Sequence, residues 1–304
     1  MEIEMRIESY GDLGEFPQFI EELIGRLSEQ LNLNNLDLIL FTENYGQDLE
    51  EIQIEKGLLV GYTNTENLTG VARSLTYIKN GETRFSLVFN ASIILGMIAS
   101  KQLNRAIHLL MHELVHVHDD NCKVYTNEDI KIRHFNDLAN ILRTFGDSIW
   151  SEFYADFMAS RMVESQEQLD QTEKSVIQGT ATMKEELANL IADYRSGHAD
   201  IGFLFKRLQE ITYLQLKITG NYIGQLQGCH QDLSPSFNDS YYKSTLDSLW
   251  CELSKLHNSY PTWRGVEDIE VLNSITLNLW KILGFDVQLI NGELFIGGSY
   301  DIFT

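Results

Sequence analysis

Hydrophobic and polar residues follow two different periodicities in the front part of the chain. Apolar residues at helical spacing predict a helix over residues 16–31. Residues 36–42, 71–78 and 83–89 carry the short apolar runs typical of strands. Asn80-Gly81, between the last two runs, predicts a tight hairpin turn. We therefore expect a helix and a small, mainly antiparallel sheet in this part of the chain.

From about residue 92 onward the pattern is mostly helical. It predicts helices over residues 101–118, 147–164, 182–194, 203–218, 241–256 and 266–283. Asn291-Gly292 lies between two apolar runs and predicts a second hairpin. The expected fold class is α+β, with one domain over residues 1–168 and a mostly helical C-terminal region over residues 169–304 that ends in a β-hairpin.

The charge of the chain limits its partners. Of its 304 residues, 44 are Asp or Glu and 23 are Lys or Arg, so the formal net charge is −21. Nucleic acids and anionic membrane surfaces are bound by clustered Lys and Arg, so we expect neither as a direct partner. The acidic surface either serves solubility or attracts a basic protein partner or substrate.

Cysteine content and the N-terminus indicate a cytoplasmic protein. The three cysteines, Cys122, Cys229 and Cys251, are odd in number and share no C-x-x-C spacing, which favours free thiols in a reducing compartment. Residues 1–10 lack the basic and apolar segments of a signal peptide. The most apolar run, over residues 85–99, is too short to span a bilayer.

The sequence His112-Glu113-Leu114-Val115-His116 has the H-E-x-x-H spacing of a zinc motif. Two histidines four residues apart on a helix share one face, so both imidazoles can bind one Zn²⁺ ion. Glu113 lies beside them, where it can act as a general base on water that zinc has made more acidic. A helical projection places both histidines opposite an apolar face made of Leu103, Ile107, Leu110, Met111 and Leu114.

Glu152 is the predicted third metal ligand. A catalytic zinc site has three protein ligands and one open position, and no histidine follows at the short spacing of the H-E-x-x-H-x-x-G-x-x-H class. Glu152 and Asp156 share a helical face of mostly small residues, where another helix can approach closely and a buried carboxylate needs a partner. We expect zinc to be that partner, and Asp156 to accept the other ring N–H of a ligating histidine. The alternative is two exposed acids on an ordinary amphipathic helix.

Other histidines and tyrosines are weaker candidates for the site. His118 projects onto the apolar face and is expected to be structural or on the surface, and His108 lies to one side of the motif. A further residue that stabilises the oxyanion is not identified by the pattern. The available residues are each more typical of a structural role: His230, His257, Tyr241, Tyr242 and Tyr260.

These motifs resemble those of the gluzincin metallopeptidases and, among them, the ImmA/IrrE-like minigluzincins. The resemblance covers residues 15–165 and rests on "FSLVFNASI", "HELVH" and "WSEFYADFMASRMV", the last with an E-x-x-A-D pattern. It implies a zincin-like core, with a substrate peptide added to the sheet edge near residues 84–90. Members of this family cleave repressor proteins in phage and stress regulation. Residues 166–304 match no part of the family pattern.

The leading hypothesis is a zinc-dependent endopeptidase that cleaves a specific protein substrate. Zn²⁺ would be held by His112, His116 and Glu152, with Glu113 as the general base. The C-terminal region would select the substrate, bind a regulatory partner or occlude the site. The alternative is a non-catalytic sensor or binding module on a peptidase scaffold, in which zinc is structural; a toxin or defence effector is a third, weaker reading.

Overall fold

The computed structural model describes residues 1–8, 14–59, 70–123, 138–163, 165–232, 240–263, 266–291 and 293–298. The chain divides into two compact units, Met1–Cys122 and Lys123–Thr304. The first contains a four-stranded sheet with helices, and the second is mostly helical and ends in a two-stranded sheet. The α+β class with a helical C-terminal region is thus confirmed, whereas the domain boundary at residue 168 stays a prediction.

The first unit consists of four strands and four helices among its described residues. Its elements, in chain order, are β1 (Glu2–Arg6), α1 (Phe16–Leu27), β2 (Leu36–Thr42), α2 (Tyr45–Glu55), β3 (Ala72–Lys79), β4 (Glu82–Asn90), α3 (Ala91–Ala99) and α4 (Leu103–Cys122). The sequence pattern identified α1, β2, β3, β4 and α4, although α1 is shorter than predicted and α4 extends further. It missed β1 and α2.

The sheet is mixed, with strand order β1-β2-β4-β3. β1 pairs with β2 and β2 pairs with β4 in parallel, while β3 and β4 are antiparallel. The prediction of a mainly antiparallel sheet was therefore wrong. The parallel pairing of β1 with β2 is possible because α1 connects them. A helical connection lets two consecutive strands run in the same direction.

The predicted β3–β4 hairpin is confirmed, and its turn follows from its residues. Asn80 and Gly81 both have positive φ, 56° and 82°, as a type I′ turn requires. The position of β4 corrects one expectation, however. Residues 84–90 belong to β4, which is paired with β2 on one side and β3 on the other, so no sheet edge lies there. The edges of the described sheet are β1 and β3.

Helices cover both faces of this sheet. Leu40 and Val88 pack with Leu49 and Ile52 of α2 on one face. On the other face Phe41 stacks on Phe89, with ring centroids 5.0 Å apart. The side chains that enclose this second face come from α1, α4 and the sheet: Ile20, Leu23, Ile24, Ile39, Phe41, Phe89, Leu110 and Leu114. Burial of α4 against the sheet fixes which of its faces remains accessible.

The second unit is built from long helices. Its elements are α5 (Leu138–Met162), α6 (Gln166–Arg195), α7 (Ile201–Gly228), α8 (Ser240–Ser259), a 3₁₀ helix (Val266–Glu270), α9 (Val271–Ile282), β5 (Asp286–Ile290) and β6 (Glu293–Gly297). β5 and β6 form the predicted antiparallel hairpin; Gly292 of its turn lies outside the described residues. The helices predicted over residues 182–194, 203–218 and 241–256 lie within longer ones. The helix predicted over 147–164 corresponds to the second half of α5, which ends at Met162, and the one over 266–283 is divided into the 3₁₀ helix and α9.

Three glycines bring α7 unusually close to α5. Gly220, Gly224 and Gly228 are spaced by four residues and share one face of α7. A Cβ atom at Gly220 would lie 2.7 Å from the carbonyl oxygen of Ile149, and one at Gly228 would lie 2.6 Å from that of Phe157. Any side chain at these positions would therefore collide with the α5 backbone. The small-residue face predicted on α5 packs against this glycine face of α7.

Buried aromatic and polar groups complete the packing of this unit. The indole of Trp280 donates to Thr212 Oγ1 at 2.9 Å and meets the rings of Phe145 and Phe205 edge-on. Trp150 is fully buried and stacks on Tyr154, with ring centroids 5.4 Å apart. The contacts of Trp280 join α9 to α5 and α7.

We predict that Gly224→Ala destabilises the protein. The new Cβ would overlap the carbonyl oxygen of Phe153 and would lie 3.0 Å from the Phe157 nitrogen, both of which are backbone atoms. Overpacking of this kind lowers the free energy of unfolding by about 1–3 kcal/mol. Urea denaturation followed by circular dichroism measures the change.

The matched control is Gly96→Ala in α3. Gly96 is exposed in the middle of a helix, and a Cβ there would meet no atom within 4 Å. Alanine at such a site stabilises a helix by roughly 0.5–1 kcal/mol. Equal effects of the two substitutions would contradict the close packing of α7 on α5.

Candidate metal centre

The two motif histidines face each other across one turn of α4. His112 Nε2 and His116 Nε2 are 3.0 Å apart, and the two rings are nearly perpendicular, at 88°. Both side chains are half-buried, while Leu110, Met111 and Leu114 are buried as the helical projection predicted. Leu103, also predicted for the apolar face, is 43% exposed. The histidine face of α4 is thus partly open.

The distance between these nitrogens suits a shared cation. Two uncharged nitrogen lone pairs repel at 3.0 Å, so either one ring donates a proton to the other or a cation lies between them. Two imidazole nitrogens on one tetrahedral zinc ion at 2.0–2.1 Å are separated by roughly 3.3 Å, which is close to the observed spacing.

Glu113 lies between the two histidines in sequence and close to Tyr45 at the start of α2. The phenol of Tyr45 is buried, and this burial, with the negative charge of Glu113 as a second cause, raises the pKa of Tyr45 above its usual value. The hydroxyl is therefore protonated at neutral pH. Sequence patterns gave no signal for Tyr45, because residues 45 and 113 are brought together only by the packing of the first unit.

Glu152 is buried on α5, and its carboxylate is held by α7. Lys217 Nζ lies 2.8 Å from Oε1. With the amide of Asn221 in the orientation that satisfies both of its polar atoms, its nitrogen donates to Oε2 at 2.9 Å. The alternative of an exposed acid at this position is thereby excluded, because Glu152 is only 8% exposed. Sequence reasoning missed both Lys217 and Asn221.

Asp156 lies one turn beyond Glu152 and is also buried, with 2% exposed. Its Oδ1 accepts a hydrogen bond of 3.0 Å from Gln225 Nε2. The expected partner of Asp156 was a ring N–H of a ligating histidine, and that role stays a prediction. The described hydrogen bond shows that α7 orients this carboxylate as well.

His112, His116 and Glu152 form a group that could hold a metal ion. Each offers one ligand atom, and the three atoms all lie within 4.8 Å of one another. Two imidazole nitrogens and one carboxylate oxygen are ligands that suit zinc and several other divalent metals. The residues present therefore fit a metal centre, and the geometry alone does not select the metal.

Three of the other candidate residues have structural surroundings. His118 Nδ1 accepts from the backbone N–H of Asn32 at 2.8 Å, and burial lowers the pKa of His118, so its ring is neutral at pH 7. Tyr242 is fully buried and within 3.0 Å of Thr219 Oγ1. His257 packs on the ring of Phe157, with centroids 4.1 Å apart. The structural reading of His118 is thus confirmed.

His108 is buried, and His230 is exposed. Tyr260 packs against Tyr154, with ring centroids 4.7 Å apart. The side chain of Tyr241 lies outside the described residues. None of these observations identifies an oxyanion donor.

Two wider expectations can be compared with the structure. Cys122, Cys229 and Cys251 are thiols that form no disulfide bond, as their odd number and spacing predicted. Among the described residues, no helix combines the length and the apolar character needed to cross a membrane.

Comparison of the chain with family models, with curated proteins and with solved structures finds no match. The assignment of a function therefore depends on the residues themselves.

We predict that the purified protein binds one divalent metal ion per chain and that His112→Ala and His116→Ala each abolish this binding. Removal of one of three ligands leaves too few donors for tight coordination. Metal content is measured by inductively coupled plasma mass spectrometry after dialysis.

His118→Ala is the control, because this histidine lies on the same helix but bonds the Asn32 backbone. It should retain the metal. Loss of metal from His118→Ala, or full retention in both motif variants, would contradict the proposed ligands.

Proposed function

We propose that the protein is a zinc-dependent endopeptidase that hydrolyses a peptide bond in a specific protein substrate. The observation that carries the proposal is the convergence of His112, His116 and Glu152, with Glu113 between the two histidines in the H-E-x-x-H order. This order is the one in which metallopeptidases combine two ligands and a general base on one helix.

The ligand set supports a catalytic site over a structural one. Structural zinc sites have four protein ligands, most often cysteines, whereas catalytic sites have three and leave a position for water or substrate. In the part of the chain that the structure describes, the group has three members, and none is a cysteine. A structural zinc site would also have no use for a glutamate at position 113, which weakens the alternative of a sensor module.

Glu113 carries the proton in the proposed reaction. Zinc, when bound, supplies a Lewis acid and makes water more acidic. Glu113 takes a proton from the attacking water as the bond from its oxygen to the carbonyl carbon forms. The same carboxylic acid then gives this proton to the leaving amine as the carbon–nitrogen bond breaks. Water is thus divided between the two products, and Glu113 returns to its starting charge.

Charge and resemblance together suggest the class of substrate. A net charge of −21 favours approach of a basic protein over an acidic one. The resemblance to ImmA/IrrE-like peptidases suggests a regulator of phage or stress responses, cleaved at one site. The long helices of the second unit would then select this substrate or bind a regulatory partner.

We predict that Glu113→Gln abolishes hydrolysis and leaves metal binding intact. The amide is similar in size but cannot accept the proton, and loss of a general base lowers the rate about 10²–10⁴-fold. The assay incubates zinc-loaded protein with a proteome-derived peptide library and counts new N-termini by mass spectrometry.

Metal content of Glu113→Gln is measured in parallel, and Glu167→Gln, at an acidic residue in the first turn of α6, is the control. The control should cleave like the wild type. Equal numbers of new N-termini from wild type and Glu113→Gln would refute the assignment of the base.

A further inference from the structure

Both carboxylate oxygens of Glu152 are engaged by neighbouring side chains of α7. Lys217 Nζ lies 2.8 Å from Oε1, and the Asn221 amide donates to Oε2 at 2.9 Å. The Asn221 nitrogen also lies 3.3 Å from the Lys217 carbonyl oxygen, which fixes the amide against its own helix. The carboxylate therefore has a defined orientation that α7 imposes.

These contacts belong to a ladder along α7. Lys217, Asn221 and Gln225 are spaced by four residues, as are their acidic partners Glu152 and Asp156 on α5. Residues four apart on a helix lie on the same face, so two closely packed helices can match their side chains turn by turn. The ladder lies next to the three glycines that set the short distance between the helices.

Lys217 differs from the other two members of the ladder because it carries a charge. A carboxylate as buried as that of Glu152 is stabilised by an opposite charge at hydrogen-bond distance. A divalent cation on the same carboxylate would lie close to the ammonium group, and two positive charges at short range in a partly buried site repel each other. The Lys217 side chain is 38% exposed, so its ammonium has access to solvent when a cation arrives.

We propose that Lys217 is a positioning residue that serves as the counter-charge of Glu152 in the metal-free protein and lowers the affinity of the site for its divalent cation. The proposal rests on the ligand role of Glu152 in the proposed function. Lys217 holds the ligand in place before metal binds, and the metal must displace or approach this positive charge. The site therefore holds its metal less tightly than the three ligands alone would.

The test compares Zn²⁺ affinities of the full-length wild type, Lys217→Met and Lys217→Arg. Each metal-free protein is titrated with Zn²⁺ against a chromophoric chelator. Lys217→Met should bind Zn²⁺ about tenfold more tightly, because the nearby positive charge is gone while the length of the side chain is kept. Lys217→Arg, which keeps the charge, should bind like the wild type.

Thermal denaturation separates this role from simple packing. Metal-free Lys217→Met should melt at a lower temperature than wild type, since Glu152 loses its counter-charge, and saturating Zn²⁺ should remove the difference. Lys206→Met is the control, because Lys206 lies on the same helix and pairs only loosely with Glu210 at 3.9 Å. It should change neither the affinity nor the melting temperature.

Equal or weaker Zn²⁺ binding by Lys217→Met overturns the proposal. Removal of a residue that merely supports the fold would not raise the affinity of the site for Zn²⁺. That result would leave the peptidase assignment standing, since Glu113→Gln tests it separately. Conversely, tighter Zn²⁺ binding by Lys217→Met together with a wild type that cleaves no peptide would support the role of Lys217 and refute the proposed function.

Discussion

The close contact between α5 and α7 is the constraint on which the acidic part of the candidate centre depends. Gly220, Gly224 and Gly228 let the backbone of α7 approach that of α5 to a distance that no side chain would permit. At this distance side chains of moderate length, such as Asn221 and Gln225, reach across and donate to carboxylates. With larger residues in place of the glycines, the amides would fall short and the carboxylates would lie buried without these donors, which is costly.

This packing also explains how a strongly acidic chain can bury two carboxylates on neighbouring turns. Glu152 and Asp156 would repel each other if both charges were left unbalanced in a partly dry environment. Lys217 supplies a full positive charge to the first, and Gln225 donates a hydrogen bond to the second. The two carboxylates therefore have different kinds of partner. Glu152 is paired with the positive charge of Lys217, which a metal would replace in the proposed centre. Asp156 accepts a hydrogen bond from the neutral amide of Gln225, which is compatible with a supporting role.

Local signals in the sequence were sufficient for most of the helices, the two hairpins and the motif, because each depends on residues close together in the chain. The Asn80-Gly81 pair is enough to predict the turn in which it lies. His112 and His116 share a face of their helix regardless of what that helix packs against. The parallel pairing of β1 with β2 could not be predicted in this way, since strand direction depends on the path of the whole connection. The pairing of residue 152 with residue 217 could not be predicted from local signals either. The four-residue spacing of the glycines in α7 is, however, a sequence signal of close helix packing.

Pairing of Glu152 within its own unit bears on the order of folding and metal binding. In many small proteins whose metal is structural, no site exists before the metal binds, and the chain folds only when the metal is present. Here Lys217 and Asn221 contact both oxygens of Glu152, and the glycine contacts that bring them there lie between α5 and α7. These protein contacts therefore position the carboxylate of Glu152. In the proposed centre the metal can therefore bind after folding, because its carboxylate ligand is already in place.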